Sequence, residues 1–219
     1  MAVTAAPATL RVNEIFFSLQ GETSRVGLPT VFVRLTGCPL RCTYCDTEYA
    51  FHEGKTRSIE DILARVAEYP ARHVCVTGGE PLAQKHCATL VEALCDAGYD
   101  VSIETSGALD ISALDPRVSR VVDIKTPGSG EVDKNRWDNV ASISARDEIK
   151  FVLCSESDYL WARDIIAQYQ LTARAPVLFS PANPDLKPAE LAGWILRDAL
   201  PVRMQVQLHK ILWGDARGR

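Results

Sequence analysis

The sequence predicts an α/β fold with a mainly parallel sheet, built as one domain of about six βα units. This prediction rests on two patterns. Short apolar and β-branched runs alternate along the chain with amphipathic helices, as is typical of α/β domains. Polar and glycine-rich segments follow several strands, and in such folds ligands bind at the carboxyl ends of the strands. The chain of 219 residues can form one sizeable core and is short for two.

The element boundaries follow from hydrophobic periodicity. Apolar runs predict strands at residues 13–19, 30–35, 74–77, 100–104, 120–124, 148–153, 176–179 and 203–208. Helical spacing predicts a helix that starts at Ser58, one that contains residues 87–94, one at about 158–169 and one at 188–199.

Individual residues refine three of these elements. Ser58 can cap its helix with Asp61 as a capping-box partner, and Gly98 is expected to end the second helix. The third helix is expected to bury Trp161 and Ile165. Residues 128–139 have neither periodicity, so we expect a mobile surface loop there.

Composition excludes several classes of protein. The net charge of −4 provides no global basic field for nucleic acid. The sequence has no run of about 18 apolar residues, so it predicts no membrane span. Residues 1–9 are rich in alanine but lack the basic and apolar segments of a secretory signal. We therefore expect a flexible lead-in at 1–9 and a single core domain at 10–219.

The chain has seven cysteines, an odd number without an export signal, which favours a reducing cytoplasm over a disulfide framework. Four of them lie inside apolar periodic segments, where cysteine packs as a small apolar side chain. These four are Cys75, Cys87, Cys95 and Cys154.

The other three cysteines, Cys38, Cys42 and Cys45, lie within eight residues. Thiolates are soft ligands that suit an iron–sulfur cluster or zinc. A structural zinc site needs a fourth protein ligand, and only His52 is near in sequence. Three thiolates without a fourth favour a cubane cluster with one open iron. A zinc site closed by His52 and coincidental packing are the alternatives.

The cysteine spacing, with Tyr44 directly before Cys45, resembles the CxxxCxxC signature of the radical S-adenosylmethionine enzymes. Residues 78–81, Gly-Gly-Glu-Pro, resemble the methionine-binding segment of that family. The resemblance implies a [4Fe–4S] cluster that binds S-adenosylmethionine and cleaves it to a 5′-deoxyadenosyl radical. It also implies a partial (βα)6 TIM-like barrel with C-terminal additions.

Further segments resemble the 7-carboxy-7-deazaguanine synthase family. They are residues 13–22, 32–38, 45–47 and 209–210, which reach across nearly the whole chain. This resemblance implies a lyase that converts 6-carboxy-5,6,7,8-tetrahydropterin to 7-carboxy-7-deazaguanine with loss of ammonia, in the biosynthesis of queuosine and other 7-deazapurines. The substrate has a carboxylate and a polar pterin edge, so its site needs a cation and several polar groups.

Arg34 is the candidate cation. It lies in an apolar strand shortly before the cysteine loop and can pair a carboxylate through two hydrogen bonds, with a surface salt bridge as the alternative. The resemblance implies substrate contacts from Leu19, Gln20, Gly21, Thr23, Arg34 and Thr77. It also implies that Thr47 binds Mg²⁺, whereas a lone threonine would otherwise be interpreted as a hydroxyl cap.

Some members of the family end soon after the His209-Lys210 pair and use the terminal carboxylate near the substrate. Because this chain continues to Arg219, we expect Asp215 to stand in for that group.

Contacts to S-adenosylmethionine are expected at the ends of successive strands. Gly78 and Gly79 would let the backbone approach the ligand closely, with a tight turn as the alternative. Glu104 and Ser106 could hydrogen-bond the ribose or the amino acid, or else simply cap a strand. With the positions that the family resemblance adds, the expected set is Tyr44, Gly79, Glu80, Glu104, Ser106, Asp123, Ile124, Lys125, Ser180, Pro181, Ala182 and Asn183.

Two other functions remain open at this point. A small radical activase that makes a glycyl radical on a protein partner would share the cysteine loop but would not need Gln20, Arg34 and Thr47. A metal-stabilised binding module would leave residues 78–81 unexplained. By analogy with the family we expect an electron donor such as flavodoxin or ferredoxin, and a homodimer.

Overall fold

A computed structural model describes residues 8–214 and 216–219, which form one nine-stranded sheet connected by helices. The strands are Thr9–Leu19 (β1), Pro29–Leu35 (β2), Lys55–Ser58 (β3), His73–Gly78 (β4), Asp100–Thr105 (β5), Ser119–Asp123 (β6), Glu148–Leu153 (β7), Val177–Pro181 (β8) and Arg203–Met204 (β9). The helices are Ile59–Val66 (α1), Cys87–Asp96 (α2), Asn139–Ser142 (α3), Glu156–Tyr169 (α4), Pro188–Arg197 (α5) and Leu208–Trp213 (α6).

The spatial order of the strands is β3-β1-β2-β4-β5-β6-β7-β8-β9. All neighbours from β2 to β9 are parallel, whereas β1 is antiparallel to both β2 and β3. No ladder in the described residues joins β3 to β9, so the sheet is an open, partial barrel. The α/β class and the mainly parallel sheet are therefore confirmed.

The core lies between the helices and one face of the sheet. Alternate strand residues such as Val33, Val76 and Ile103 are fully buried there. Helix α1 contributes Ile62 and α2 contributes Leu90, both at the helical spacing that was predicted. The Ser58 hydroxyl accepts the amide of Asp61 at 3.1 Å, which confirms the predicted cap of α1.

The loop between β1 and β2, residues 20–28, closes the amino end of the parallel strands. Leu19 at the end of β1 is paired with Pro29 at the start of β2, so the loop between them lies at the amino end of β2. Ser24 binds Glu148 at the start of β7 through its amide and its hydroxyl, and Arg25 reaches Asp100 at the start of β5 at 3.2 Å. This segment, called the amino-end loop below, therefore forms a floor beneath the sheet's polar face.

Two predicted elements differ from the structure. Strand β9 ends at Met204, and the predicted strand over 203–208 is wrong beyond that point because Leu208 begins helix α6. The chain leaves the sheet there to meet the amino-end loop, where Thr23 donates its amide to the Gln205 side chain at 2.7 Å. Strand β3 was not predicted, since its Lys-Thr-Arg-Ser sequence is that of a polar edge strand without apolar alternation.

The third predicted helix is present as α4, but its buried face differs from the prediction. Tyr159, Ala162 and Ile166 are the residues buried against the sheet. Trp161 and Ile165 are half-buried and pack at the margin of the core. Both faces of α4 carry apolar side chains, so periodicity alone did not identify the face that points inward.

All seven cysteines are free thiols. Cys75 and Cys87 are buried, as predicted, while Cys95 and Cys154 are half-buried. Among the described residues, no helix is both long enough and apolar enough to cross a bilayer.

Candidate active site

A cleft of about 330 Å³ opens over the polar face of the sheet. The cysteine loop, residues 38–45, forms one wall, and the carboxyl ends of β4, β5, β6 and β8 contribute to its lining. The amino-end loop and helix α6 complete the lining, through Gln20, Glu22, His209 and Lys210. The position is the one expected for ligands in parallel α/β sheets.

The three cysteines of the loop all line this cleft. Burial raises the pKa of each thiol above its ordinary value, to about 11 for Cys42, so the metal-free thiols are protonated at neutral pH. No three His, Cys, Asp or Glu side chains in the described ranges converge as ligands of a single ion. His52 is exposed and lies outside the cleft lining, so the zinc alternative has no fourth ligand there.

Two glycines hold the cysteine loop against the end of β4. A Cβ on Gly78 would lie 2.6 Å from the Leu35 carbonyl oxygen, and one on Gly79 would lie 2.7 Å from the Cys38 Cβ. The Glu80 amide donates to the Gly37 carbonyl at 2.8 Å. The close approach in this structure is to the end of β2 and to the start of the cysteine loop, and the predicted approach to a ligand stays a prediction.

Glu80 is a structural anchor between strand ends. It is 0% exposed, and its carboxylate accepts the Thr105 hydroxyl at 3.0 Å, the Ser106 amide at 2.6 Å and the Leu82 amide at 2.9 Å. All of its hydrogen-bonding capacity is directed into the protein. Glu80 therefore joins the carboxyl ends of β4 and β5. Gly79 at the end of β4 and Ser106 after β5 line the cleft.

Residues 126–131, called the bracing segment below, support the cysteine loop from the other side. The Thr43 amide donates to Ser129 at 3.0 Å, and the Arg41 amide donates to the Glu131 carboxylate at 2.5 Å. Ser129 is fully buried. The prediction of an irregular surface loop over 128–139 is therefore wrong for residues 128–131, which are held against the cysteine loop. A sequence without periodicity is ordered here by side chain to backbone hydrogen bonds.

Charged residues form a row across the cleft face of β6 and β7. Asp123 lies opposite Lys150 in the parallel ladder and accepts the Lys125 ammonium at 2.9 Å. Lys150 in turn pairs with Glu22 of the amino-end loop. Burial alone would lower the pKa of both lysines, but the neighbouring acidic groups outweigh it and raise the pKa above the ordinary value. Both lysines are therefore cationic.

Arg34 lies at the end of β2 beside an aromatic pair. Its Nε donates to Glu14 at 2.8 Å, and its guanidinium lies 5.7 Å from the Phe16 ring centroid and 5.9 Å from that of Tyr49. Among the described residues, only Nε of this guanidinium has a hydrogen-bond partner. The side chain is mostly buried, so the alternative of a solvent-exposed surface salt bridge does not describe it.

A chain of hydrogen bonds links three predicted residues. Thr77 donates its hydroxyl to Glu104 at 3.1 Å, and the Gln20 amide donates to the other oxygen of Glu104 at 3.3 Å. Gln20 also accepts the Gly21 amide at 2.9 Å. The amino-end loop and the carboxyl end of β5 are thereby joined across the cleft.

Thr47 lies at the rim with Asp46, a residue that the sequence did not single out. The Thr47 hydroxyl donates to Asp46 at 2.6 Å, and Gln207 donates to the other Asp46 oxygen at 3.1 Å. Burial would raise the pKa of Asp46, but these hydrogen bonds and nearby Lys210 outweigh it and lower that pKa. The Asp46 carboxylate is therefore ionised at neutral pH, next to the threonine hydroxyl.

The C-terminal residues 216–219 fold back over the cleft. The Arg217 guanidinium stacks 3.9 Å from the Tyr49 ring centroid and reaches Glu53 at 3.4 Å. Asp215, predicted to face the substrate, lies outside the described residues.

Several buried polar atoms along the cleft have no hydrogen-bond partner within the described part of the chain. They include the Tyr44 hydroxyl, Asp123 Oδ1, Ser180 Oγ and Glu22 Oε1. Buried polar atoms in native proteins are normally satisfied, so these atoms fit bound polar groups. Three thiols on one loop suit an iron–sulfur cluster, and these unpaired polar atoms beside them suit a polar cofactor.

Comparison with known proteins identifies the family. Residues 32–121 match the model of the radical SAM superfamily, a range that includes the cysteine loop and residues 78–81. A 7-carboxy-7-deazaguanine synthase from Chlorobaculum tepidum is 46% identical over 96% of this chain and 98% of its own length. The chain belongs to the 7-carboxy-7-deazaguanine synthase family. A synthase of that name from Koribacter versatilis is 41% identical over 93% of the chain and 97% of its own length.

The fold agrees with this family. The crystal structure of QueE from Escherichia coli superposes with a TM-score of 0.76 at 26% identity, covering 92% of this chain and 95% of that one. The resemblance to the deazaguanine synthases is therefore confirmed in sequence and in fold. Relatives of that name do not favour the activase alternative.

The structure brings most of the predicted residues of this synthase-family member into one cleft. Those that line it are Leu19, Gln20, Gly21, Arg34, Cys38, Cys42, Tyr44, Cys45, Thr47, Thr77, Gly79, Glu104, Ser106, Asp123, Lys125, Ser180, Pro181, Ala182 and Asn183. Thr23, Glu80 and Ile124 do not line it. Ile124 is buried in the core, and Thr23 holds the amino-end loop to Gln205.

The lining residues that the sequence analysis did not assign to the site include Glu22, Asp46, Tyr49 and Lys150. One signal for Lys150 was available, because a lysine within the strand Glu-Ile-Lys-Phe-Val-Leu is unusual in a buried apolar run. Its partner Glu22 is 128 positions away in the sequence, and nothing in the local pattern indicates that pairing.

Proposed function

We propose that this chain converts 6-carboxy-5,6,7,8-tetrahydropterin to 7-carboxy-7-deazaguanine with loss of ammonia, in the pathway to queuosine and other 7-deazapurines. The observation that carries the proposal is the convergence of three features in one cleft: the three thiols, the Gly78-Gly79 turn and a buried polar face with both charge signs. The names of relatives similar over nearly their whole length support the same reaction.

Cys38, Cys42 and Cys45 would hold a [4Fe–4S] cluster, leaving one iron open because only three thiols line the cleft among the described residues. The cluster and S-adenosylmethionine, when bound, supply a one-electron cleavage that generates the 5′-deoxyadenosyl radical. The protein's part is to fix the loop that carries the thiols, from Gly79 on one side and from the bracing segment on the other.

S-adenosylmethionine would lie along the strand ends next to this loop. We propose contacts from Tyr44, Gly79, Ser106, Asp123, Lys125 and residues 180–183. The free oxygen of Asp123 and the Ser180 hydroxyl are suited to ammonium or hydroxyl groups of the ligand. Glu80 and Ile124 would act through backbone position, because Glu80 is fully hydrogen-bonded within the protein.

The pterin substrate would occupy the opposite side of the cleft. Arg34 would bind its carboxylate through the guanidinium nitrogens that Glu14 leaves free. Leu19, Gln20, Gly21 and Thr77 would contact the ring. Glu104, expected to bind S-adenosylmethionine, would lie between the two ligands as the acceptor of Gln20 and Thr77. Thr23 would contribute indirectly by holding the amino-end loop, and Asp215 stays a proposed substrate ligand.

Mg²⁺ is proposed at Thr47, with Asp46 as a second protein oxygen. A hard cation prefers oxygen ligands and keeps several waters, so a hydroxyl, a carboxylate and the substrate carboxylate would form a reasonable shell. The lowered pKa of Asp46 keeps its carboxylate ionised for this role.

The remaining parts of the proposal concern context. We propose an electron donor such as flavodoxin or ferredoxin, a homodimer, and a cytoplasmic location in which the seven free cysteines stay reduced.

The direct test is an anaerobic assay of the cluster-loaded protein with the carboxytetrahydropterin, S-adenosylmethionine and a reductant. We expect 7-carboxy-7-deazaguanine and ammonia. A sample with full iron and sulfide content that cleaves S-adenosylmethionine but yields neither product would contradict the proposal.

Replacement of single cysteines tests the cluster assignment. Cys45→Ala is expected to abolish iron and sulfide loading because it removes one of three ligands. Cys154→Ala is the matched control, since Cys154 is a half-buried thiol that is absent from the cleft lining. Equal iron content in the two variants would contradict the assignment.

A further inference from the structure

Glu22 stands on the amino-end loop and lines the floor of the cleft. The residue is 8% exposed, and one of its carboxylate oxygens pairs with Lys150. The other oxygen, Oε1, is buried without a hydrogen-bond partner in the described residues. Leaving a buried carboxylate oxygen without a donor is costly, so a donor on a bound molecule is expected there.

Lys150 fixes the direction of this carboxylate. It lies on β7 opposite Asp123, and its ammonium contacts Glu22 from the sheet side. The ion pair occupies the carboxylate oxygen that faces the strand. Only Oε1 is then available to a molecule in the cleft.

The row of charges runs from the cysteine loop to the amino-end loop. Lys125, at the first end, lies 5.8 Å from the Tyr44 ring centroid, and Glu22 stands at the other end. The donor that Glu22 lacks therefore belongs to a molecule at the far side of the cleft from the cluster loop. This is the side that the proposed function gives to the pterin.

The chemistry of the substrate supplies such a donor. Its aminopyrimidine ring presents an exocyclic amino group beside a ring N–H, and either group can donate to the one free carboxylate oxygen. Its single carboxylate suits Arg34, so the two ends of the molecule match a cation and an anion of the protein.

We propose that Glu22 is a substrate-binding residue that accepts the N–H edge of the aminopyrimidine ring, and that Lys150 is its positioning residue. The inference rests on the proposed function, because it takes the carboxytetrahydropterin as the substrate.

The test compares two ligands on cluster-loaded protein: the substrate and its analogue with hydrogen in place of the exocyclic amino group. Glu22→Gln keeps the shape of the side chain but removes the charge. It should raise the substrate Kd by about 10-fold to 100-fold, since hydrogen bonds to charged groups contribute about 1.5–3 kcal/mol. The wild-type protein should prefer the substrate to the analogue, and Glu22→Gln should lose most of that preference.

Glu148→Gln is the matched control. Glu148 is also a buried carboxylate that joins the amino-end loop to β7, through Ser24, but it does not line the cleft. Its variant should keep the wild-type preference between the two ligands. If it loses the preference as Glu22→Gln does, the effect comes from the loop and the inference is overturned.

Lys150 is tested by conservative rescue. Lys150→Met should weaken substrate binding with little change in S-adenosylmethionine affinity, and Lys150→Arg should restore much of the loss. Should Glu22→Gln not fold, Glu22→Asp keeps the charge and shortens the side chain, and the same reduced preference is expected.

Failure of the inference differs from failure of the proposed function. If wild-type protein binds and converts the substrate while Glu22→Gln discriminates between the two ligands as wild type does, only the inference is overturned. If wild-type protein with a full cluster does not bind the carboxytetrahydropterin, the proposed function and this inference are both overturned.

Discussion

At the scale of single residues, the site depends on two glycines, because their lack of a side chain lets backbone segments approach each other closely. Gly78 and Gly79 carry no Cβ, and this allows the end of β2 and the start of the cysteine loop to lie directly on the end of β4. Glu80, next in sequence, uses its whole carboxylate to join β4 to β5. Three consecutive residues therefore position the cluster loop, the strand end and the cleft wall.

Gly79→Ala is expected to prevent normal cluster loading. The added methyl group would overlap the Gly37 carbonyl oxygen and lie 2.7 Å from the Cys38 Cβ, so the loop must move. The measurement is iron and sulfide per chain after anaerobic reconstitution, with unfolding by denaturant as a check on the fold.

Gly193→Ala is its control. Gly193 lies within helix α5, where an added methyl group would meet no atom within 4 Å, and alanine favours a helix by about 1 kcal/mol over glycine. Normal loading is expected there. Normal loading in Gly79→Ala as well would show that the loop tolerates displacement.

His73 provides a residue-scale test of pH dependence. The ring is buried and bonded to Thr30 at 3.0 Å and Ser102 at 3.1 Å, and burial lowers its pKa to about 4. Because the unfolded chain binds the proton more readily, stability is full above about pH 6.5 and falls as the pH is lowered toward 4. A loss of about 2–3 kcal/mol is expected over that window.

The measurement is the free energy of unfolding in urea at several pH values between about 8 and about 4, a range that spans the unfolded and folded pKa of the histidine. His73→Gln should be less stable at about pH 8 but should have a shallower slope. An unchanged slope in the variant would assign the pH dependence to other groups.

At the scale of elements, the bracing segment shows how an irregular stretch becomes ordered. Asp158, 1% exposed on α4, accepts the Gly128 amide at 2.8 Å, the Cys154 amide at 3.0 Å and the Thr126 hydroxyl at 3.2 Å. The segment in turn supports Thr43 of the cysteine loop. One buried carboxylate thus links helix α4 to the cluster loop.

Asp158→Asn is expected to loosen this support. The amide keeps the shape but loses the charge, which weakens hydrogen bonds worth about 1.5–3 kcal/mol when the acceptor is ionised. We expect loss of stability and faster loss of the cluster's visible absorbance in air. Asp164→Asn on the exposed face of the same helix is the control, and equal cluster lifetimes would contradict the role.

The same elements explain what the sequence could and could not predict. Strand β7 was predicted at its observed bounds, because Glu148 to Leu153 is a compact apolar run. The bracing segment was misjudged, since its order comes from Asp158 and not from its own periodicity. The cysteine loop and Gly78–Glu80 were predictable because their chemistry is local. The Glu22–Lys150 pair was not, because it joins residues far apart in sequence.

At the scale of the whole molecule, the open sheet is completed by segments from both ends of the chain. The antiparallel hairpin of β1 and β2 brings the amino-end loop beneath the parallel strands. The chain after β9 then meets that loop, where the Leu208 amide donates to the Gly21 carbonyl at 3.1 Å. His209 lies so close to Gly21 that a Cβ there would be 2.7 Å from its ring nitrogen.

This junction has a consequence for the order of biosynthesis. The amino-end loop emerges from the ribosome early, but its partners Gln205 and Leu208 emerge more than 180 residues later. Contacts between residues far apart in sequence form late in folding. Until they form, the surfaces that they cover in the folded protein are exposed. We therefore expect cluster insertion to follow the synthesis of helix α6, because that helix completes the lining of the cleft.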